Sequence, residues 1–403
     1  MPLKVGRGAE APPFLVMDVI SAANQRAAAL PPGAPGILRM EVGQPGTGAP
    51  RGAAEAAIRA LSAGQPMGYT EAFGLRSLRA RIARHYAERY GAAVPEARVA
   101  VTVGASGAFP LAFLAAFDPG DAVAMAAPFY PPYANILTAL GMRPQLLPCG
   151  PETRWQPTVA MLEALDPAPA GLILASPCNP AGTMLPPAEF AAIAAWCERR
   201  SVRLISDEIY HGLTYGEVPE TTAAAVSGSA IVVNSFSKYF SMTGWRIGWL
   251  VLPEDLVRPV ECLAQNMVIS APHVAQVAAE AAFDCREELE ANVARYRRAR
   301  AGLLAALPRA GFDRLSPADG AFYLWADVGH LTNDSVAFCQ RMLAEAGIAA
   351  TPGVDFDRDR GSRFLRFSYC GPEADMAEAP RRLAAWLGRQ AQPGRGGASR
   401  PVR

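Results

Sequence analysis

Between residues 95 and 250 the chain alternates short β-branched or aliphatic runs with alanine-rich stretches of helical spacing. The runs at 99–103, 122–125, 171–175, 203–206, 230–234 and 247–251 predict strands. The stretches at 106–117, 132–140 and 187–200 predict helices, the last opened by Pro186-Pro187, where a proline at the first turn gives up an N–H that no helix would use. Strands separated by helices read as a mostly parallel sheet wrapped on both faces, an α/β domain. From 272 to 307 the pattern becomes one long helical tract, rich in charge at Arg286-Glu287-Glu288 and from Arg295 to Arg300, that stops before Pro308 and Gly311. Strand-like 322–326 and 364–369 flank a helix at 335–346, and a last helix ends about Gly388, an order that predicts a smaller α+β domain. Residues 390–403 hold Gly, Pro and Arg without apolar periodicity and are expected to be a disordered tail. No internal repeat is visible.

Composition narrows the function classes. With 403 residues the chain is long enough for two domains. Its net charge of +1 gives no overall attraction to nucleic acid or to an anionic membrane. The most apolar stretch, 108–127, is broken by Pro110 and by Asp118-Pro119-Gly120-Asp121, short of the roughly 18 uninterrupted residues of a membrane span. Residues 1–14 carry Pro2, Pro12 and Pro13 and do not read as a signal peptide, so the expected location is the cytoplasm. Seven scattered cysteines without a Cys-x-x-Cys pair are expected to be reduced thiols, and four histidines without a ligand spacing suggest no metal site.

The chemistry concentrates in a few segments. From Ala223 to Ile247 the only charges are Lys238 and Arg246, in the hydroxyl-rich stretch Asn234-Ser-Phe-Ser-Lys238 through Arg246-Ile-Gly-Trp249. A lysine among aromatic and small residues loses hydration for its ammonium, which frees an amine able to form an imine with an aldehyde. Ser235, Ser237 and Arg246 are suited to hold a phosphate dianion nearby. Asp207, in Leu204-Ile-Ser-Asp207-Glu-Ile-Tyr210, ends a buried strand and is either a helix cap or a carboxylate in need of a partner. Ser176-Pro-Cys-Asn179-Pro-Ala-Gly182 is a proline-set turn that aims the Asn179 amide. Val101-Thr-Val-Gly104-Ala105-Ser106 runs from strand into helix start, where backbone N–H groups and the helix dipole form an anion seat.

Taken in order, these segments resemble the signature of the class I/II aminotransferases, the fold-type I, aspartate aminotransferase-like family of pyridoxal phosphate enzymes. The resemblance covers about residues 36 to 387, from Val42-Gly43-Gln-Pro to the closing helix, and includes Gly320-Ala-Phe-Tyr323 and Pro352-Gly353. It implies a large domain over 46–285 with a mostly parallel seven-stranded sheet, a small domain from 1–45 and 286–388, and a tail from 389. It implies that Lys238 carries pyridoxal 5′-phosphate through an imine and that Arg246, with Ala105 and Ser106, binds the phosphate. Asp207 would pair with the pyridine nitrogen, Tyr210 and Asn179 would contact the ring's phenolate oxygen, and Tyr130, in Ala127-Pro-Phe-Tyr130-Pro-Pro-Tyr133, would stack on the ring. Arg366, in Phe364-Leu-Arg366-Phe-Ser-Tyr369, would clamp the substrate carboxylate, with Gly43 beside it. Tyr69, in Gly68-Tyr69-Thr70, would reach the phosphate of the neighbouring subunit of a homodimer with shared active sites.

The activity so implied is ping-pong transfer of an amino group from an L-amino acid to a 2-oxo acid, with Lys238 as the base. A β-lyase shares Lys238, Asp207 and Arg366 and is the alternative, with racemase or synthase chemistry of the same fold further off. A non-enzymatic regulator would need an added DNA-binding domain for which the N-terminus has no room. In dicarboxylate-specific relatives of the animal type an arginine lies four residues before a turn resembling Ser270-Ala-Pro272. Here that position is Asn266, which favours a neutral or hydrophobic donor.

Overall fold

The computed structural model describes residues 3–216 and 218–390. Helix α1 (Leu15–Ala28) and strand β1 (Leu38–Arg39) precede α2 (Arg51–Ser62) and α3 (Arg76–Tyr90). The alternating block follows as β2 (Val99–Thr102), α4 (Gly104–Ala116), β3 (Ala122–Ala127), α5 (Pro132–Ala139), β4 (Arg143–Pro148) and α6 (Val159–Glu163). It continues through β5 (Gly171–Ala175), α7 (Pro187–Arg199), β6 (Arg203–Asp207), α8 (Ala223–Val226), β7 (Ile231–Ser235) and β8 (Gly248–Val251). Helices α9 (Glu254–Met267), α10 (His273–Ala282) and α11 (Arg286–Ala306) lead to β9 (Tyr323–Asp327) and α12 (Ser335–Ala346). Short β10 (Ile348–Ala349) and β11 (Thr351–Pro352), then β12 (Phe364–Ser368) and α13 (Glu373–Gln390), close the described chain.

Seven strands form one sheet in the order β2-β8-β7-β6-β5-β3-β4, parallel except for β8, which runs antiparallel to both its neighbours. Successive residues of a strand point to opposite faces, and both faces here are covered. Leu172, Leu204, Val232 and Trp249 therefore enter one core with Phe190, Ile193 and Trp196 of α7, while Ile173, Ile205, Val233 and Leu250 enter the other with Phe109 and Phe113 of α4 and Val260 of α9. A smaller antiparallel sheet, β11-β12-β9, and the parallel pair β1-β10 make the α+β part. Among the described residues no helix is long and apolar enough to cross a membrane.

Several elements differ from the sequence expectation. Strand β4 was not expected, because Pro144 and Pro148 lower its strand propensity. It lies at the edge of the sheet, where a proline leaves no ladder partner wanting. The tract at 272–307 is two helices, interrupted at Phe283-Asp284-Cys285, where the Phe283 ring turns in against Phe236 at 5.3 Å and Phe240 at 5.0 Å. The final helix reaches Gln390, two residues beyond its expected end, and the rest of the expected tail, 391–403, lies outside the described residues.

Candidate active site

The carboxyl ends of β2, β3, β5, β6 and β7 open on one side of the large sheet, and the turns that leave them supply Ala105 and Ser106, Tyr130, Asn179, Asp207 and Lys238 to a cavity of about 230 Å3. In open α/β sheets a ligand crevice belongs there, because the loops diverge where strand ends meet helix starts. The small sheet contributes Tyr323 and Arg366, the loop after β1 contributes Gly43, and Phe14, Val16, Met17 and Ile20 come from the start of α1.

Lys238 leaves the turn after β7 and its Nζ donates to the Gly43 carbonyl at 2.6 Å, 6.0 Å from the centre of the Tyr210 ring. Burial lowers its pKa to about 8, helped by the Arg366 and Arg246 charges and opposed by Cys370 and Asp207. Burial thus favours the neutral amine, which a nucleophile requires. Gly43 is constrained by its neighbour, since a Cβ there would collide with the Tyr323 hydroxyl.

Asp207 is 4% exposed. One carboxylate oxygen accepts from the Tyr133 hydroxyl and the other from the Ile209 N–H at 3.1 Å. Burial raises its pKa to about 6, with both hydrogen bonds pulling the other way. Tyr210 shares a 2.8 Å hydrogen bond with the Tyr323 hydroxyl, and burial holds both phenols above their ordinary pKa, Tyr323 at about 12.

Two arginines line the cavity with separate partners. Arg366, 2% exposed, donates from Nη1 to Asn179 Oδ1 at 2.9 Å and from Nη2 to the Glu41 carbonyl at 2.6 Å. Its guanidinium lies 4.3 Å from the Tyr323 ring centre and 4.6 Å from that of Phe356, and its buried Nε has no partner among the described residues. Arg246 is exposed, donates to the Thr243 carbonyl at 2.9 Å and reaches Ser106 Oγ at 3.4 Å. It sits over the start of α4, which has no side-chain cap and begins at Gly104 with φ +64. A Cβ at Gly104 would lie 2.7 Å from Arg246 Nη2, so the close approach of cation and uncapped helix depends on glycine.

Of the residues singled out from sequence, Ser235 and Tyr69 are not on the cavity wall. The Ser235 hydroxyl bonds the Ile247 carbonyl at 3.0 Å and Ser237 Oγ at 2.8 Å, and of these two serines Ser237 lines the cavity. Tyr69 is 82% exposed, on a loop whose Gly68 carbonyl bonds His273 at 3.0 Å.

A family model for aminotransferase class I and II matches residues 35–383. The chain belongs to that family. Valine–pyruvate aminotransferase of Mycobacterium tuberculosis is 50% identical over 387 residues, 95% of this chain and 98% of that protein. Arginine–pyruvate transaminase of Pseudomonas aeruginosa is 33% identical over 353 residues, 86% of this chain and 89% of that protein. An aminotransferase structure from Mycobacterium tuberculosis superposes with a TM-score of 0.93 at 49% identity, over 96% of this chain and all of that one. Aspartate aminotransferase from Thermus thermophilus with maleate superposes at 0.88 with 29% identity, over 96% of this chain and 100% of that one. The protein is thus an aminotransferase, in a family that typically uses pyridoxal 5′-phosphate.

Three groups of wall residues in this aminotransferase escaped the sequence reading. Tyr133 stands three residues after Tyr130, at the entry to α5, and the two rings meet edge-on at 5.3 Å. Tyr323 was visible only as part of a motif. The α1 residues carry no local signal, because they meet the cavity only through packing against the small sheet and β10.

Proposed function

We propose that this aminotransferase holds pyridoxal 5′-phosphate with its aldehyde on Lys238 and moves the amino group of a neutral or hydrophobic L-amino acid to a 2-oxo acid. The observation that carries the reading is the meeting, in one cavity, of a buried amine, a buried carboxylate and two arginines with separate partners. The residues present fit the cofactor. Arg246, Ser237 and the first N–H groups of the uncapped α4 suit its phosphate dianion, and the Asp207 carboxylate suits a protonated ring nitrogen.

When bound, the cofactor supplies an aldehyde that condenses with amines and a ring that accepts an electron pair. Arg366, on the cavity wall, would orient the substrate, its planar guanidinium being suited to an α-carboxylate. Asn179, whose Oδ1 is taken by Arg366, has amide N–H groups to offer on the cavity wall it shares with Tyr210, where both would serve the ring oxygen. Lys238, once its amine is free, would take the proton from the substrate Cα and hold it for return, its flexible side chain letting the amine move the short distance needed. The rings of Tyr130 and Tyr133 and the apolar side chains of α1 would limit the access of water to the reacting atoms.

The donor class follows from the wall that α1 provides. Phe14, Val16, Met17 and Ile20 are all apolar, and Phe14 meets Tyr130 edge-on at 5.8 Å, so a carboxylate side chain directed there would lose hydration with no partner. The valine–pyruvate activity named for the Mycobacterium tuberculosis relative agrees with this. We also assign a homodimer. Ile58 and Leu61 of α2, Met267 at the end of α9 and Ile269 just after it are exposed apolar side chains, and the Tyr69 loop is tied by its Gly68 carbonyl to His273 at the start of α10; Tyr69 would complete the partner's phosphate seat.

The test is chemical. Borohydride reduction of the holoprotein should leave the cofactor on the peptide containing Lys238, and valine or another apolar donor should convert the cofactor to its amine form without an acceptor present. Label on another lysine would end the assignment. Ammonia and pyruvate released from a β-substituted donor at a kcat/KM above any transamination would replace the donor reading with a lyase.

A further inference from the structure

We propose that Tyr133 is a positioning residue for the cofactor ring, acting through Asp207 by keeping that carboxylate ionised and its free lone pairs aimed into the cavity. This rests on the reading above that Asp207 faces the ring nitrogen.

The geometry is specific. Tyr133 is 4% exposed and its hydroxyl donates to Asp207 Oδ2, while Ile209 N–H holds Oδ1. Its ring is fixed by edge contacts to Phe109 at 5.1 Å and Tyr130 at 5.3 Å, so the hydroxyl has little freedom to turn elsewhere. Burial first, and Asp207 second, hold the phenol well above its ordinary pKa, so at neutral pH it keeps its proton to donate to the carboxylate.

Asp207 needs such a donor. Burial alone favours its neutral form, and the groups around it do not cancel that. Glu208, next in the chain, repels, but its carboxylate is engaged by Ser206, Thr222 and the Ala223 N–H. His211 favours the anion, yet its ring is tied to Tyr90 at 2.8 Å and to the Ser176 carbonyl at 3.1 Å. Lys238 interacts with Asp207 across the cavity, Tyr130 stands beside Tyr133, and the Cys178 thiol lies near Tyr133 on the turn after β5. The direct hydrogen bond from Tyr133 is the strongest influence opposing burial. Without it the proton shared between Asp207 and the ring moves toward Asp207, and the ring nitrogen loses its positive charge.

The experiment uses cofactor labelled with 15N at the ring nitrogen, bound to holoprotein carrying wild-type chain, Tyr133→Phe, Asp207→Asn or both. Phenylalanine keeps the ring packing and removes only the donor. In Tyr133→Phe the nitrogen resonance should move toward the unprotonated range, and the cofactor Kd should weaken about tenfold, the usual scale for a hydrogen bond to a charged group. In the Asp207→Asn background the same substitution should change neither readout. An unchanged resonance in Tyr133→Phe, or equal weakening with and without Asp207, would show that Tyr133 only packs. Should the wild-type nitrogen itself be unprotonated and Asp207→Asn bind as wild type, the fault lies instead with the placement of Asp207.

Discussion

At the scale of the residue, the site is governed by how burial treats charge. Lys238 and Asp207 are both driven toward neutrality, the lysine to about 8 and the aspartate to about 6, yet each keeps polar partners that decide how far it goes. Asp207→Ala should fold and still lose on the order of a thousandfold in the donor half-reaction, about 4 kcal/mol, measured by stopped-flow conversion of the cofactor. A near-normal rate would return Asp207 to a structural role. The lysine makes a separate prediction about stability. Its folded pKa lies below its unfolded value, so between pH 8 and about 10 the unfolded chain binds more protons, and stability rises with pH over that window. The cofactor-free protein should therefore gain stability relative to Lys238→Met as pH rises from 8 to 10, by no more than about 3 kcal/mol, in paired urea titrations. A constant difference between the two proteins would contradict the burial argument.

At the scale of the element, α1 and α4 divide the work of recognition. The start of α4 offers unpaired N–H groups to an anion, and Gly104 lets Arg246 approach it. Gly104→Val should weaken cofactor binding at least tenfold, because left-handed backbone disfavours a β-branched residue and its Cβ would displace Arg246, with the loss read as a raised Kd in fluorescence titration. The first turns of α1 are pinned by Asp355, whose carboxylate accepts from Leu15 N–H at 2.9 Å and Val16 N–H at 3.1 Å. That pin sets an apolar side-chain wall. Replacing Val16 and Ile20 by alanine should lower kcat/KM for a branched donor by roughly 10- to 200-fold while leaving alanine as donor little changed, since only the larger side chain reaches the wall. Equal losses for both donors would mean that α1 acts by folding and not by recognition.

At the scale of the molecule, Tyr69 tests the proposed assembly. It is 82% exposed and remote from its own cavity wall, a position that suits a neighbour's phosphate better than its own. Mixing Lys238→Ala with Tyr69→Phe chains gives heterodimers with one doubly damaged site and one intact site. Activity above either parent is expected, and verified heterodimers without recovery, or a monomer in solution, would defeat the arrangement.

The sequence by itself determined the sheet and the order of its chemistry. Strand β5 matches its expected span of 171–175, and Lys238, Asp207, Asn179 and Arg246, singled out at strand ends and in turns of distinct composition, line one cavity with Arg366 from the middle of β12. Such signals are local, and local signals survive in one dimension. What the tertiary structure decided is everything that depends on which turns come together. It set Ser235 behind Ser237 and made Tyr133 the partner of Asp207. It also brought α1 to the cavity from more than 200 residues before Lys238, and it supported β4 at a sheet edge where its prolines cost no hydrogen bond. Packing of distant segments carries no periodicity along the chain, so only the folded core could select those contacts.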